Sequence, residues 1–258
     1  MKQIIQKLLL LSYRFAFESG ILSTSFGRAI FEFLYSRYKA LFEAGEVEHL
    51  RAYVVEGGTV IDVGANIGFF TLKFAAWVGD SGRVFSIEPE QRNFDRLSQR
   101  VNQHGYISRV SLVKAAAAEK TGEVMLAINK TNPMDHRLSD SGILVRAITI
   151  DELCAICDWQ EVCLVKIDVQ GAEGRVIAGA IETIKRFSPA LFVEIEEGSV
   201  KPGSQEFLFL NELTALGYWP YILEKNGPKR LKNINAMLTL VKVNGYADCL
   251  FLKSKDTQ

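Results

Sequence analysis

Apolar and polar positions follow two alternating periods along most of the chain after residue 57. Short apolar runs typical of buried strands, such as Thr59–Val63 and Arg83–Glu88, are followed by segments whose apolar residues recur at three- and four-residue steps, as on one face of a helix. The same order returns at Val162–Asp168 and at "ALFVEIEE". This alternation predicts an α/β fold with a mostly parallel sheet and helices on both faces.

Turn-forming and capping residues set the expected ends of the elements. Pro89 suits the first turn of a helix after the second strand, and Asp151 suits the N-cap of a short helix. Further strands are expected at Val110–Lys114, "EKTGEVMLAI", Leu144–Ile150, Tyr218–Glu224 and Asp248–Leu252.

The first 56 residues lack strand patterns and carry helical periodicity. We predict an N-terminal helical cap at residues 1–56 and one main domain at residues 57–258. The apolar run at Leu8–Leu11 is short, which favours an amphipathic helix on the domain over a signal peptide. The alternative is a helix lying on a membrane face, with Lys2 and Lys7 at the headgroups. No run reaches about 18 apolar residues, so we expect no membrane-spanning helix.

Composition narrows the set of partners. The 258 residues are 48% apolar, and 30 basic and 30 acidic residues give a formal net charge of zero. No global field would draw the chain to nucleic acid, and we predict no nucleic-acid partner. Cys154 and Cys157 form a pair with a two-residue gap, but no second such pair completes a zinc site. We expect buried thiols and a cytoplasmic location; the oligomeric state stays open.

A glycine-containing turn follows the first predicted strand in "VIDVGANIGFF". Glycine lets the backbone approach a ligand closely because it has no side chain and tolerates positive φ. An acid 20 residues after the second glycine can hold the ribose hydroxyls of an adenosine. The residues predicted to bind this cofactor are Asp62, Gly64, Ala65, Asn66, Gly68 and Glu88.

Two adenosine cofactors fit this spacing. A dinucleotide carries a pyrophosphate, which prefers backbone amides and which the carboxylate of Asp62 would repel. S-adenosylmethionine carries an ammonium and a sulfonium, which the same carboxylate attracts. Asn66 also stands where a dinucleotide fingerprint has its second glycine. The residues therefore favour S-adenosylmethionine.

The chain resembles the FkbM family of methyltransferases. The similarity lies in "VIDVGANIGFFTLKFA", "VFSIEPE", "VKIDVQGAE" and "ALFVEI", which occur in the family's order between about Tyr53 and about Glu197. The resemblance implies a seven-stranded, Rossmann-like class I methyltransferase fold whose last strand is antiparallel. It also implies S-adenosylmethionine as cofactor and O-methylation of a sugar, a glycolipid or a polyketide-like small molecule. Gln170 departs from the family, which usually has glutamate there.

Four residues are candidates for the methyl-transfer chemistry. A hydroxyl is a poor nucleophile, so a base near its oxygen helps, and Asp168 is the first candidate. Its alternative role is an N-cap for the following helix. Lys166 lies two residues away on the same strand face and can orient the acceptor or form an ion pair. Glu194 ends the next strand, and His136 is a second candidate base in a polar loop whose Arg137 can hold an acceptor carboxylate or phosphate.

A divalent cation held by Asp168 and Glu194 is an alternative to this scheme, since hard cations prefer oxygen ligands. Because Gln170 replaces an acid in the same segment, we predict no bound metal.

Two other functions remain open from the residues alone. One is a nicotinamide-dependent oxidoreductase, and the other is a binding module that has lost methyl transfer. Acids at four predicted strand ends favour a working enzyme over the second alternative. These acids are Asp62, Glu88, Asp168 and Glu194.

Overall fold

The computed structural model describes residues 47–129, 136–201 and 203–254, together with positions 19, 24 and 27. Most of the predicted helical cap, and with it the membrane alternative, lies outside the described residues. The last part of the cap carries a 3-10 helix at Glu48–Tyr53, which buries Leu50. The division of the chain at residue 56 stays a prediction.

The main sheet has eight strands in the order β11-β10-β12-β9-β8-β1-β2-β3. The five strands from β9 to β3 are parallel, whereas β12 runs antiparallel to both of its neighbours. The seven-stranded sheet with an antiparallel last strand is therefore confirmed, and the unpredicted β11 extends it as a hairpin with β10. The strands are β1 (Thr59–Val63), β2 (Arg83–Ile87), β3 (Val110–Val113), β8 (Val162–Ile167), β9 (Ala190–Glu196), β10 (Tyr218–Glu224), β11 (Gly227–Arg230) and β12 (Tyr246–Lys253).

A second, smaller sheet has four strands in the order β4-β7-β5-β6. The sequence predicted strands near β5 and β7 but no separate sheet. This sheet matters for the site because β6 carries Arg137, which contacts the carboxyl edge of the main sheet. The strands are β4 (Ala116–Ala117), β5 (Gly122–Ala127), β6 (Arg137–Leu138) and β7 (Ile143–Ile148).

Helices cover both faces of the main sheet, as predicted. Because side chains alternate along a strand, Val60 packs in one apolar cluster with residues of α1 and α2, and Ile61 packs in another with residues of the later helices. The helices are α1 (Phe69–Trp77), α2 (Gln91–Gln103), α3 (Ile150–Ile156), α4 (Glu173–Ala178), α5 (Ile181–Phe187), α6 (Gln205–Ala215) and α7 (Ile234–Asn244). The sequence did not predict α7.

Two capping predictions are wrong. Pro89 lies outside α2, since Glu90 is the N-cap and its carboxylate accepts a hydrogen bond from the amide of Asn93 at 2.8 Å. Asp151 does not cap α3, because Thr149 holds that place. The Asp151 carboxylate instead accepts a hydrogen bond at 2.8 Å from the amide of Thr183, in the first turn of α5. A short acidic side chain thus caps a helix that is distant in sequence.

The cysteines match the expectation of buried thiols in part, since Cys157 and Cys163 are only half-buried. All four thiols are free, and those of Cys154 and Cys249 are buried. Burial raises the pKa of the Cys154 thiol above its ordinary value, which disfavours the reactive thiolate. Among the described residues, no helix combines the length and the hydropathy needed to cross a membrane.

Candidate active site

Four neighbouring strands of the main sheet are in register at one level near their carboxyl ends, which brings the predicted acids together. Glu88, Asp168 and Glu194 each come one residue after this level, and Asp62 comes one residue before it. All four therefore lie at the carboxyl edge of the sheet, where parallel α/β sheets bind ligands. The residues in register at this level are Val63, Ile87, Ile167 and Val193.

The turn after β1 packs tightly against its neighbours. Gly64 has a φ of 70°, and a Cβ atom there would lie 1.8 Å from the carbonyl oxygen of Asp168. Gly68 has a φ of 88°, and its Cβ would lie 2.7 Å from a methyl group of Leu97 on α2. Asn66, between them, is also left-handed, with a φ of 50°. Only glycine fits at position 64, because both the backbone angle and the approach of β8 forbid a side chain.

The backbone amides of this turn are already used within the protein. The amide of Asn66 donates to Oε2 of Glu88 at 2.9 Å, and the other four donate to carbonyl or side-chain oxygens nearby. A pyrophosphate would need such amides as donors. The turn is therefore unsuited to a dinucleotide. The five donors are Gly64, Ala65, Asn66, Ile67 and Gly68.

Asp62 lies beneath the turn and is fully buried. Its Oδ2 accepts a hydrogen bond at 2.6 Å from Thr71 Oγ1, which in turn accepts one at 3.0 Å from Ser86. Its Oδ1 accepts no hydrogen bond but lies 3.3 Å from Nζ of Lys166, as an ion pair. Strand register explains the arrangement, because Ser86 and Lys166 are the partners of Asp62 on β2 and β8.

Lys166 supplies the cation of this cluster, and the residue is 2% exposed. It donates to the carbonyl oxygens of Val63 at 3.2 Å and Gly64 at 2.8 Å. It also lies 3.5 Å from Oδ2 of Asp168 and 5.1 Å from the ring centre of Phe70. Lys166 and Asp168 thus face the same side, as their spacing predicted, and the ammonium joins the end of β1 to the end of β8.

Glu88 borders the turn on the other side. Its Oε2 accepts from Asn66 N, and its Oε1 accepts from the amide of Glu90 at 3.0 Å. Burial raises the pKa of Glu88 to about 7, although the two amides oppose the shift. Each carboxylate oxygen can accept a second hydrogen bond, so ribose hydroxyls fit here as donors.

Asp168 and Glu194 form the outer part of the site. The Asp168 side chain is 27% exposed, unlike that of Asp62. Asp168 does not cap the next helix, since α4 has Ala172 as its N-cap, so that alternative is wrong. Nε2 of Gln170 donates to Asp168 Oδ1 at 3.1 Å and lies 3.5 Å from Oε2 of Glu194. Gln170 holds this place with a left-handed backbone, at a φ of 55°.

The second sheet adds polar groups at the same edge. Arg137 forms a two-bond ion pair with Glu196, at 2.8 and 3.0 Å, and donates to the carbonyl of Gln170 at 3.3 Å. This guanidinium, considered from sequence as a partner of an acceptor carboxylate, is thus paired within the protein. His136 lies next to it, and its Nδ1 accepts from the amide of Asn129 at 3.1 Å.

The burial of Glu173 at the start of α4 was not predicted from sequence. This residue is 1% exposed; its Oε1 accepts from the amide of Gly171 at 2.9 Å, and its Oε2 is buried without a hydrogen-bond partner. Burial, with smaller contributions from the charges of Asp168 and Glu196, raises its pKa to about 7. An acid in the first turn of a helix is ordinarily exposed, so the sequence carried no signal of this burial.

A family model decides the identity of the domain. The model described as "Methyltransferase FkbM domain" matches residues 62–220, more than half of the chain. The chain belongs to the FkbM methyltransferase family. The resemblance, the class I fold and S-adenosylmethionine as cofactor are thereby confirmed, and the nicotinamide alternative is set aside.

Two curated relatives of this FkbM methyltransferase are methyltransferases by name. The chain is 28% identical over 149 residues to hexuronic acid methyltransferase AglP of Haloferax volcanii, covering 55% of this chain and 58% of the relative. It is 24% identical over 147 residues to 2-O-methyltransferase NoeI of Sinorhizobium fredii, covering 49% and 59%. The chain thus matches less than two thirds of the length of each relative.

A solved FkbM methyltransferase from Methylobacillus flagellatus is similar with a TM-score of 0.49 and 20% identity, over 77% of this chain and 44% of that chain. A likeness of this size adds no argument, and the fold rests on the strand order described above.

The polar groups of the site fit S-adenosylmethionine. The turn offers carbonyl and carboxylate oxygens rather than free amides, which suits a cofactor with an ammonium and a sulfonium. Glu88 would hold the ribose, and the backbone of the glycine turn would border the methionine part. Within the ranges that the structure describes, no three His, Cys, Asp or Glu side chains are grouped so as to hold a metal ion.

Proposed function

We propose that this FkbM methyltransferase transfers a methyl group to a hydroxyl oxygen of a sugar, a glycolipid or a polyketide-like small molecule. The observation that carries the proposal is the placement of Asp168. Its carboxylate lies beside the glycine turn and 3.5 Å from the Lys166 ammonium, yet 27% of its side chain is exposed. A carboxylate that borders both the cofactor turn and solvent is able to meet an acceptor hydroxyl.

Asp168 is the proposed general base. Bound S-adenosylmethionine supplies an electrophilic methyl group. When the acceptor oxygen bonds to that methyl, the sulfur–methyl bond would break and the sulfur would keep the electron pair as a neutral thioether. The hydroxyl proton passes to the Asp168 carboxylate, and alignment of the reacting atoms contributes much of the acceleration. Lys166 would act as a positioning residue, since its ammonium contacts both Asp168 and the carbonyls that end β1.

The cofactor contacts are assigned by position. Glu88 would accept the ribose hydroxyls, and Gly64 to Gly68 would border the cofactor through their backbone. Asp62 supports the turn from below through Thr71 and Lys166, because its own carboxylate is buried.

The outer groups would contact the acceptor. Glu194 and the Arg137–Glu196 pair lie on the side of Asp168 away from Glu88, by the strand order β2-β1-β8-β9. Hydroxyl-rich acceptors suit such a mixture of donors and acceptors. The name of AglP, a hexuronic acid methyltransferase, supports a sugar acceptor, and the name of NoeI, a 2-O-methyltransferase, supports transfer to oxygen. His136 is the second candidate base. The four free thiols support a cytoplasmic location.

A tritiated-methyl transfer screen tests the proposal. The full chain is incubated with labelled S-adenosylmethionine and with neutral sugars, hexuronic acids, lipid-linked glycans and hydroxylated small molecules. We expect label in an alkali-stable ether on at least one hydroxylated acceptor, and at least about 100-fold less label with Asp168→Asn in the same time. Asp140→Asn, an exposed change of the same kind, is the control. Label found only on nitrogen or carbon, or none although S-adenosylmethionine binds, would refute the O-methyltransferase assignment.

A further inference from the structure

The side-chain amide of Gln170 lies between two carboxylates. Its Nε2 donates to Oδ1 of Asp168 at 3.1 Å and lies 3.5 Å from Oε2 of Glu194. One nitrogen thus reaches an oxygen of each acid. The carbonyl of Gln170 accepts from Arg137 at 3.3 Å, which ties the same residue to the second sheet.

Two carboxylates held this close repel each other unless something between them carries positive charge or donates hydrogen bonds. The neighbouring cations face other groups as well. Lys166 contacts Asp62 and the end of β1 besides Asp168, and Arg137 forms its two-bond pair with Glu196. An amide nitrogen carries two donors and no charge, so it can satisfy both acids at once.

We infer that Gln170 is a positioning residue whose amide nitrogen bridges Asp168 and Glu194, in a place that a divalent cation could occupy if the amide were absent. Methyl transfer then proceeds without a metal, because Asp168 is already oriented towards the acceptor. The inference rests on the proposed transfer to a hydroxyl, since it assigns Gln170 to the same base.

Two substitutions separate this role from simple packing. Gln170→Glu replaces the bridging donors with a third carboxylate. Gln170→Met keeps the length of the side chain and removes the donors, leaving two acids unbridged. In both variants the oxygens of Asp168 and Glu194 that the amide contacted become available as ligands for a hard cation. Gln99→Glu, an exposed position on α2, is the control for the added charge.

Mn²⁺ alone is the probe, and thermal unfolding and calorimetric titration of the full chain are the readouts. Without metal, Gln170→Glu should unfold about 2–4 °C below the unsubstituted protein, the shift expected for a modest loss of stability in a chain of this size. Adding Mn²⁺ should remove this difference in unfolding temperature. Mn²⁺ should bind Gln170→Glu at least about tenfold more tightly than it binds the unsubstituted protein or Gln99→Glu. Gln170→Met should also gain stability from Mn²⁺, and it decides the question if Gln170→Glu does not fold.

The inference is overturned if Mn²⁺ binds the variants no better than the unsubstituted protein, or if chelator-treated unsubstituted protein transfers methyl only after Mg²⁺ is added. With an acceptor from the screen, Gln170→Met should lower kcat about tenfold or more and leave the affinity for S-adenosylmethionine unchanged. Mn²⁺ binding is measured without an acceptor. If the screen finds no hydroxyl methylation, the proposed function is refuted, and the Mn²⁺ titration still tests the bridge.

Discussion

Nζ of Lys166 lies 3.3 Å from Oδ1 of Asp62, and the two side chains are 3% and 0% exposed. They are direct partners in register across β1 and β8, so the sheet itself brings the charges together. A buried carboxylate without its cation is costly, because neither water nor another donor replaces the lost interaction. The pair therefore makes the turn above it dependent on Lys166.

Replacing Lys166 with methionine should strongly destabilise the protein. Removing one partner of a buried ion pair typically costs about 3–5 kcal/mol, since the other charge remains buried. Urea unfolding of Lys166→Met measures the loss. The double variant Lys166→Met with Asp62→Asn should recover part of it, because the uncompensated charge is gone. A single variant within about 1 kcal/mol of the unsubstituted protein would contradict the buried pair.

Gly64→Ala should cost far more than the same change at Gly105. Both glycines have similar positive φ values, 70° and 72°. A Cβ atom at Gly64 would meet the Asp168 carbonyl at 1.8 Å, whereas one at Gly105 would meet nothing within 4 Å. Gly105→Ala should therefore cost only the left-handed strain of about 1–2 kcal/mol. Gly64→Ala should add about 1–3 kcal/mol for the forced separation of β1 and β8. Denaturant unfolding compares the two, and equal costs would rule out the close approach.

Glu88 and Glu173 should each make a contribution to stability that is lost as pH rises from about 4.5 to about 7. Glu88 and Glu173 ordinarily ionise near 4.5, and burial raises the pKa of each to about 7 in the folded protein. Between these values the folded state binds more protons than the unfolded state, so the free energy of unfolding decreases with pH. Each group contributes a slope of up to about 1.4 kcal/mol per pH unit.

Glu173→Gln should flatten this pH dependence, since a neutral side chain cannot ionise. Glu123→Gln, an exposed change on β5, should leave the slope unaltered and serves as control. The measurement is a series of urea unfolding curves from pH 4.5 to 8. An unchanged slope in Glu173→Gln would contradict the raised pKa of that carboxyl.

The order of elements was predictable from sequence because buried parallel strands are continuous apolar runs and the helices between them are periodic. Thr59–Val63 and Tyr218–Glu224 match the structure at both ends. The second sheet was not predictable, since its strands β4 and β6 have two residues each and depend on pairing with distant segments. Helix α7 was missed although Asn233 caps it and Gly245 ends it.

The acids of the site could be found from sequence because each follows an apolar run that ends at the same sheet edge. Their partners could not, because register decides them: Asp62 meets Lys166 and Ser86 only after β1 is aligned with its neighbours. The bridge by Gln170 and the burial of Glu173 depend on the chain path after β8. That path includes a left-handed glutamine, which local propensity does not favour.

Affinity for S-adenosylmethionine should depend on Glu88 and on its ionisation. Glu88→Ala should weaken binding about tenfold or more, since hydrogen bonds to a charged group contribute roughly 1.5–3 kcal/mol. Because burial raises the pKa of Glu88 to about 7, affinity in the unsubstituted protein should increase from pH 6 to pH 8. Isothermal titration across this range measures both effects. Binding of a folded Glu88→Ala variant with unaltered affinity would exclude Glu88 from the adenosine pocket.

Asp168→Asn tests whether the partly exposed carboxylate of Asp168 is the general base. Asparagine keeps the shape and can still accept a hydrogen bond from Gln170, so affinity for S-adenosylmethionine and stability should change little. The transfer rate should fall about 10²–10⁴-fold, the usual contribution of a general base, and kcat on an acceptor from the screen measures it. Asp140→Asn, on an exposed loop, should keep the full rate. If Asp168→Asn turns over normally, the carboxylate is not the base. In that case His136→Gln should lower the transfer rate instead. His136 is next to Arg137 in the chain, and Arg137 contacts the carbonyl of Gln170 at the same edge of the sheet.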